Sequence, residues 1–307
     1  MRGLRKTGGG WFRSFKPNSM KVKVHSETGT LQRVILGIAS DRGTVKHLNN
    51  PKYAEAVARG VDPTEAELVA EVEGLYRVLV EQGVEVLRPP NIPQQDQIFC
   101  RDIGFAIGED FFLARMKKAN RKVEQTALHA LLRDLERVHH PPPGATIEGG
   151  DIVLHGEYVF VGLGDRTNQL GLRFLQRVLG QRKTVIPLPL RVTNEARTNT
   201  LHLDCAFQPV GTHSALLYPE GFSEFPQAIY DRFGAEQLIE VNAAEMYDMV
   251  PNILSLSPNK VLIERSFVRL ASELEKRNIQ AIPVDYARVA QLGGLLRCST
   301  CPLNREE

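Results

Sequence analysis

Branched apolar residues run through positions 31–39 (LQRVILGIA), the pattern of a partly buried strand. A polar loop follows, through Asn49, Asn50 and Pro51. Residues 62–83 then read as an amphipathic helix. Asp62 is placed as N-cap, Pro63 in the first turn and Glu65 at the capping-box position. Leu68, Val69, Val72, Leu75, Tyr76 and Leu79 form its apolar face, and Gly83 stops it. A short strand at 84–87 ends at Pro89 and Pro90.

From there one unit recurs about every 50 residues. Residues 104–114 (GFAIGEDFFLA) read as strand, tight turn, strand, and so do 151–162, 204–217 and 253–263. Helical stretches at 123–137, 168–179 and 267–277 lie between, and further short strands at 184–186, 238–241 and 279–284. Taking the 31–39 strand and the segment around Cys298 as one closing unit gives about five repeats. Spacing of this size predicts a closed radial array in the α/β class. No Pro, Gly or Ser linker divides it, so residues 20–307 read as one domain.

Composition changes this picture only at one end. The chain has 307 residues, 42% of them hydrophobic and 24% charged, as in an ordinary soluble protein. No apolar run approaches a membrane span. Arg2, Arg5, Lys6, Arg13 and Lys16 lie in a glycine-rich start without acids, read as a disordered basic tail over residues 1–19. The remainder holds 33 basic residues against 36 acidic, which gives no support for binding nucleic acid. Four cysteines without a secretory signal point to reduced thiols and a cytoplasmic setting.

Four fragments carry candidate chemistry: 99–102 (FCRD), 148–151 (EGGD), 202–204 (HLD) and 293–302 (GGLLRCSTCP). All occupy comparable places in their units, so a radial array would aim them at one small volume. Cys298 is open to several readings. An inert buried thiol is a common fate of a cysteine. Cys298 and Cys301 also have redox or zinc half-site spacing, although Pro302 follows where a redox motif needs a helix. A thiolate nucleophile is favoured by the glycine pair and by the partners upstream. On an extended strand His202 and Asp204 would share a face. Glu148 and Asp151 fit exposed turn positions, and no chemistry is assigned to Asp151. Asp102 could pair locally with Arg101. Several carboxylates around one thiol suit a planar cation rich in N–H donors, such as a guanidinium.

In this order the four fragments resemble the guanidino-group-modifying enzymes: arginine deiminases, dimethylargininases and amidinotransferases. The resemblance covers about residues 25–303. It implies a five-bladed α/β-propeller with pseudo-fivefold symmetry, the pentein fold. It also implies Cys298 as nucleophile, His202 as general acid and base, and Glu148 as the group orienting His202. Asp102 and Asp204 would grip the guanidinium, Arg166 the substrate's carboxylate, and Phe99 would line the site.

The implied function is a hydrolase acting on a guanidino C–N bond, arginine-deiminase-like, with amidino transfer as the alternative. It needs no metal or cofactor. Its partner is a small guanidino compound, and homo-oligomer formation is compatible with this reading. Gly293 stands where arginine deiminases carry an arginine, so free arginine is not singled out. A dimethylated nitrogen has no N–H for Asp204, which disfavours dimethylargininase activity. A non-catalytic binding protein of the same architecture, resembling ribosome anti-association factors, would lack the Cys, His and carboxylate set.

Overall fold

The recurring unit of the sequence is also the recurring unit of the structure. A computed structural model describes residues 21–43 and 50–307. The expected tail over residues 1–19 lies outside the described residues, as does most of the polar loop before Asn50. The strand β1 (Thr30–Leu36) runs parallel to β2 (Glu85–Leu87). Parallel neighbours need a crossover, and a helix supplies it here. After α1 (Pro51–Ala58), α2 (Glu65–Glu81) makes the crossing.

The same arrangement follows four more times. The short helix α3 (Cys100–Ile103) leads into the hairpin β3 (Gly104–Ile107) and β4 (Asp110–Leu113). Then α4 (Gln125–Leu132) crosses to β5 (Val138–His139), parallel to β4. The hairpin β6 (Ile152–His155) and β7 (Tyr158–Leu163) is completed through α5 (Gln169–Leu179) by β8 (Thr184–Pro189). The hairpin β9 (Phe207–Val210) and β10 (Ser214–Leu217) gains β11 (Leu238–Glu240) after α6 (Gln227–Phe233). Beyond α7 (Ala243–Tyr247), β12 (Leu254–Ser257) and β13 (Lys260–Glu264) are joined through α8 (Val268–Glu275) by β14 (Gln280–Val284). Past α9 (Ala287–Ala290), β15 (Thr300–Glu306) pairs antiparallel with β1. The result is five three-stranded sheets among the described residues. The fifth joins the strand after Cys298 to the 31–39 segment, as expected.

Three local readings change. The N-cap of α2 is Thr64, not Asp62: Thr64 and Glu67 form the capping box. Glu65 instead accepts from the backbone N–H groups of Asp41 and Arg42, tying down the loop after β1. Starting two residues later still buries Leu68, Val72, Leu75 and Leu79. Part of the expected polar loop is helical, because Asn50 caps α1 and Tyr53 and Ala56 are buried. The helix expected over 123–137 is confined to α4, whose buried residues are Ala127, Leu128 and Leu132.

Apolar packing falls into three clusters. One is built around Phe105, Phe112 and Leu175, a second around Phe160, Phe207 and Ile229, and a third around Leu36, Leu75 and Leu295. Glu27, Arg101, Asp204, Arg297 and Arg305 are also buried. Isolated charges in such surroundings are costly, so each must find partners. Among the described residues no helix is long and apolar enough to cross a membrane.

Candidate active site

Each of the five sheets is preceded by one polar residue, two to five positions ahead of its first hairpin strand. Asp102 lies before β3, Glu148 before β6, His202 before β9, Asn252 before β12 and Cys298 before β15. Asn252 was missed from sequence, although its place just ahead of a hairpin matches that of the other four. Its carboxamide oxygen accepts from the backbone N–H of Leu295 (3.1 Å) and Cys298 (3.0 Å). Its Nδ2 donates to the Cys298 sulfur at 3.1 Å. The thiol is thus held from both its backbone and its side chain.

The turn before it needs glycine. Gly293 has φ +84°, and a Cβ there would meet the Asn50 Nδ2 at 2.0 Å. A Cβ on Gly294 would meet the Phe99 ring at 2.5 Å. The glycine pair therefore lets Phe99 and Asn50 close against the segment carrying Cys298. An arginine at 293, as in arginine deiminases, has no room beside Asn50.

His202 does not alternate along a strand. It is extended, immediately before a 3-10 turn at Leu203–Cys205. Its Nε2 pairs with Glu148 Oε2 at 3.0 Å, and its Nδ1 lies 3.6 Å from Asp102 Oδ1. The imidazole packs on Gly150, where a Cβ would stand 2.7 Å from its ring. Burial opposes a charge on His202, but Asp102, Asp151 and Glu148 outweigh it and raise its pKa to about 9. It rests as an imidazolium.

Glu148 is fully buried, not exposed. Its second oxygen accepts from the Lys117 N–H at 2.9 Å, and Arg166 Nη1 lies 3.4 Å from the first. Burial opposes its ionisation, yet His202 and Arg166 hold its pKa below the usual range. Asp151 is also fully buried. It accepts from the Leu203 N–H at 3.0 Å, fixing the backbone beside His202, and burial raises its pKa to about 7.

Asp102 does not pair with Arg101, which turns away to Glu27 and to the Thr300 carbonyl. Its partner is Arg121, whose Nη1 donates to Oδ2 at 2.6 Å. The other oxygen, Oδ1, is buried without a hydrogen-bond partner. Burial raises the Asp102 pKa, but His202 and Arg121 more than offset this and lower it. Arg121 also grips both oxygens of Glu124 (2.8 and 2.9 Å) and the Phe99 carbonyl (3.0 Å). Neither Arg121 nor Glu124 was singled out from sequence; a lone Arg-x-x-Glu carries no signal.

Asp204 parts from His202. Its Oδ2 accepts from Arg297 Nη1 at 2.8 Å and lies 3.7 Å from the Cys298 sulfur. Arg297 is fully buried and also binds Glu27 at 2.8 Å and the Ile152 carbonyl. The Oδ2 oxygen of Asp204 is therefore already engaged by Arg297.

Cys298, His202, Asp102, Arg166 and Phe99 open on one small cavity of about 70 Å³, with Arg121 in its wall. Glu148 and Asp204 stand behind it, each one residue removed. Burial, then Asp204 and Asp102, push the Cys298 thiol well above its ordinary pKa, so it rests protonated. Cys301 faces elsewhere, toward the Gly104 carbonyl at 3.2 Å. Among the described residues no group of three or more His, Cys, Asp or Glu is placed to hold a metal ion.

A protein of Bacillus subtilis (strain 168), the uncharacterized protein YkgA, is 29% identical over 96% of this chain and 99% of its own. An arginine deiminase of Mycobacterium marinum is 25% identical over 92% of this chain and 80% of its own. Among solved structures, an amidinotransferase from the saxitoxin biosynthetic pathway of Microseira wollei superposes with a TM-score of 0.76. It is 18% identical and covers 93% of this chain and 98% of its own. The N-terminal domain of a cyanobacterial arginine dihydrolase, bound to substrate, gives a TM-score of 0.79 at 19% identity, over 89% and 98%. The family of N,N dimethylarginine dimethylhydrolases, in its eukaryotic form, matches residues 46–305. The chain therefore belongs to that family, within the larger set of guanidino-group-modifying enzymes.

Proposed function

We propose that this protein is a hydrolase that breaks a C–N bond of a small guanidino compound through a covalent intermediate on Cys298. The observation that carries the reading is that a thiol, an imidazolium and a carboxylate, those of Cys298, His202 and Asp102, line one cavity. On the same reading the five sheets are blades of an α/β-propeller with a pseudo-fivefold axis, and residues 20–307 act as one cytoplasmic catalytic domain without a cofactor.

A guanidinium entering the cavity donates to Asp102 Oδ1, the acceptor left open. Its charge offsets the surrounding acids, so Cys298 gives up its proton to solvent water as the substrate binds, and regains one from solvent after product leaves. The thiolate attacks the guanidinium carbon. The imidazolium of His202 then passes its proton to the departing amine and the C–N bond breaks, leaving a thiouronium on sulfur. Neutral His202 takes a proton from water, whose oxygen attacks the same carbon. The C–S bond breaks, a urea-type product leaves, and Cys298 returns as thiolate. Glu148 keeps His202 in place in both directions. With an amine in place of water, the same steps make an amidinotransferase.

A second reading has an observation in its favour. Because Arg297 already supplies a donor to Asp204, a dimethylated nitrogen beside it leaves no acid unpaired. Dimethylamine is then an acceptable leaving group, in keeping with the family match.

The test is incubation with arginine, agmatine and N-methylated arginines, following ureido product, ammonia, methylamines and free amine. Acid quench and intact mass should trap an adduct on Cys298. A Cys298→Ser variant of undiminished activity refutes the mechanism, and amidino transfer to added glycine without release of ammonia selects the transferase.

A further inference from the structure

Resting on the reading of Cys298 as nucleophile, the hydrogen bonds of Asn252 give it more than a structural part. The residue is fully buried, just ahead of β12. Its backbone N–H donates to the Met249 carbonyl at 2.9 Å, and its own carbonyl accepts from the Arg297 N–H at 3.2 Å. Its side-chain oxygen accepts from the N–H groups of Leu295 and Cys298. Two donors converging on one atom identify that atom as oxygen, because an amide NH2 there would set N–H against N–H. The opposite atom, 3.1 Å from the Cys298 sulfur, is therefore the NH2 group, and the sulfur accepts from it. The thiol's own hydrogen is left for Asp204 Oδ2, 3.7 Å from the sulfur.

Such a donor matters most once the sulfur is charged. Against a thiol it is a weak bond; against a thiolate it is charge-assisted and favours that form. The other neighbours offer the thiolate little. Burial, Asp204, Asp102 and Cys205 all oppose its charge. Arg297 is committed to Asp204 and Glu27, and the His202 imidazolium to Glu148. Arg121 and Arg166, in the wall of the same cavity, pair with Asp102 and Glu148. A cation in place of Asn252 would also stabilise a thiolate, but it would repel a guanidinium arriving at the same sulfur. A neutral amide avoids that conflict. We propose that Asn252 is a positioning residue of the reaction: its NH2 group holds the sulfur at the cavity wall and supplies the hydrogen bond that stabilises the thiolate formed there.

The experiment follows alkylation of Cys298 by iodoacetamide against pH, located by peptide mass spectrometry, in the wild type, Asn252→Asp and Asn252→Ala. Thermal melting and kcat are measured beside it. Asn252→Asp keeps the shape and the oxygen that holds Leu295 and Cys298, but sets a second oxygen where the donor stood. Asn252→Ala removes both. The alkylation midpoint should rise by about one unit in Asn252→Ala, an about tenfold loss of thiolate at neutral pH, and further in Asn252→Asp. kcat should fall in the same order, so that the better-fitting variant is the more impaired. A clamp on the backbone alone predicts the reverse order, with Asn252→Asp close to the wild type. That result, or a midpoint indifferent to both substitutions, overturns the inference and leaves the nucleophile reading standing. Where Asn252→Asp does not fold, the midpoint of Asn252→Ala decides: a rise supports the inference and an unmoved value overturns it. A fully active Cys298→Ser enzyme removes the nucleophile reading, and the inference with it, whatever the midpoints are.

Discussion

The carboxylate of Asp204 lies 3.7 Å from the sulfur of Cys298, and Arg297, the residue next to that cysteine, holds it there. A carboxylate so close to a buried thiol opposes thiolate formation. Arg297 limits the opposition, and Glu27 in turn neutralises Arg297. Cys298 therefore rests as a thiol.

Replacing the sulfur tests the centre directly. Cys298→Ser should lower kcat by about a thousandfold or more, because a serine here has no comparable nucleophilicity. The fold should persist, since Asn252 holds the backbone at Cys298 and Leu295. Steady-state kinetics with thermal melting checks both halves. A melting temperature lowered in step with activity contradicts this account.

The state of His202 predicts a pH dependence. Its folded pKa, about 9, is above the unfolded value of 6.5. The charged ring therefore contributes stability that is complete below pH 6.5 and is lost as pH rises through 9. kcat/KM should fall on the same alkaline limb, where the proton for the leaving amine is gone. Asp102 is the largest influence raising this pKa, so Asp102→Asn should move the limb toward neutral pH. An unshifted limb in that variant would mean that another group titrates there.

Glu27 should tune the thiol from a distance. It is buried; burial works against its charge, but Arg297 and Arg101 hold its pKa at about 2. Glu27→Gln removes one negative charge and leaves Arg297 in excess. The pH midpoint for alkylation of Cys298 should then fall by about half a unit to one unit. Arg297→Leu takes the arginine from Asp204 and leaves Glu27 only the more distant Arg101, and should cost about 3–5 kcal/mol of stability, read by urea unfolding.

Gly293 is predicted to tolerate no side chain. Gly293→Ala meets both an unfavourable φ and the Asn50 carboxamide. A loss of about 1–3 kcal/mol is expected, with reduced kcat from displacement of Cys298. Asn50→Gly in the same chain should restore part of the activity by clearing the contact. A fully active single variant would show that this turn is not constrained.

The hairpins, the crossover helices and four of the five residues ahead of the sheets were legible in the chain. Each is written locally: period-two runs between turn residues, amphipathic stretches, and motifs with fixed internal spacing. The capping of α2 was ambiguous for the same reason. Asp62 and Thr64 both have a glutamate three residues on, and only the position of the buried face selects Thr64.

Sequence by itself thus determined the repeating unit and picked out Cys298 and His202, which line one cavity. Tertiary structure decided what those groups touch. The bond between Glu27 and Arg297 spans 270 residues, and that between Asp204 and Arg297 spans 93. Ion pairs at such separations leave no periodicity or spacing to read. They form because buried charges must find one another, and they tie Asp204 to Arg297 beside the thiol.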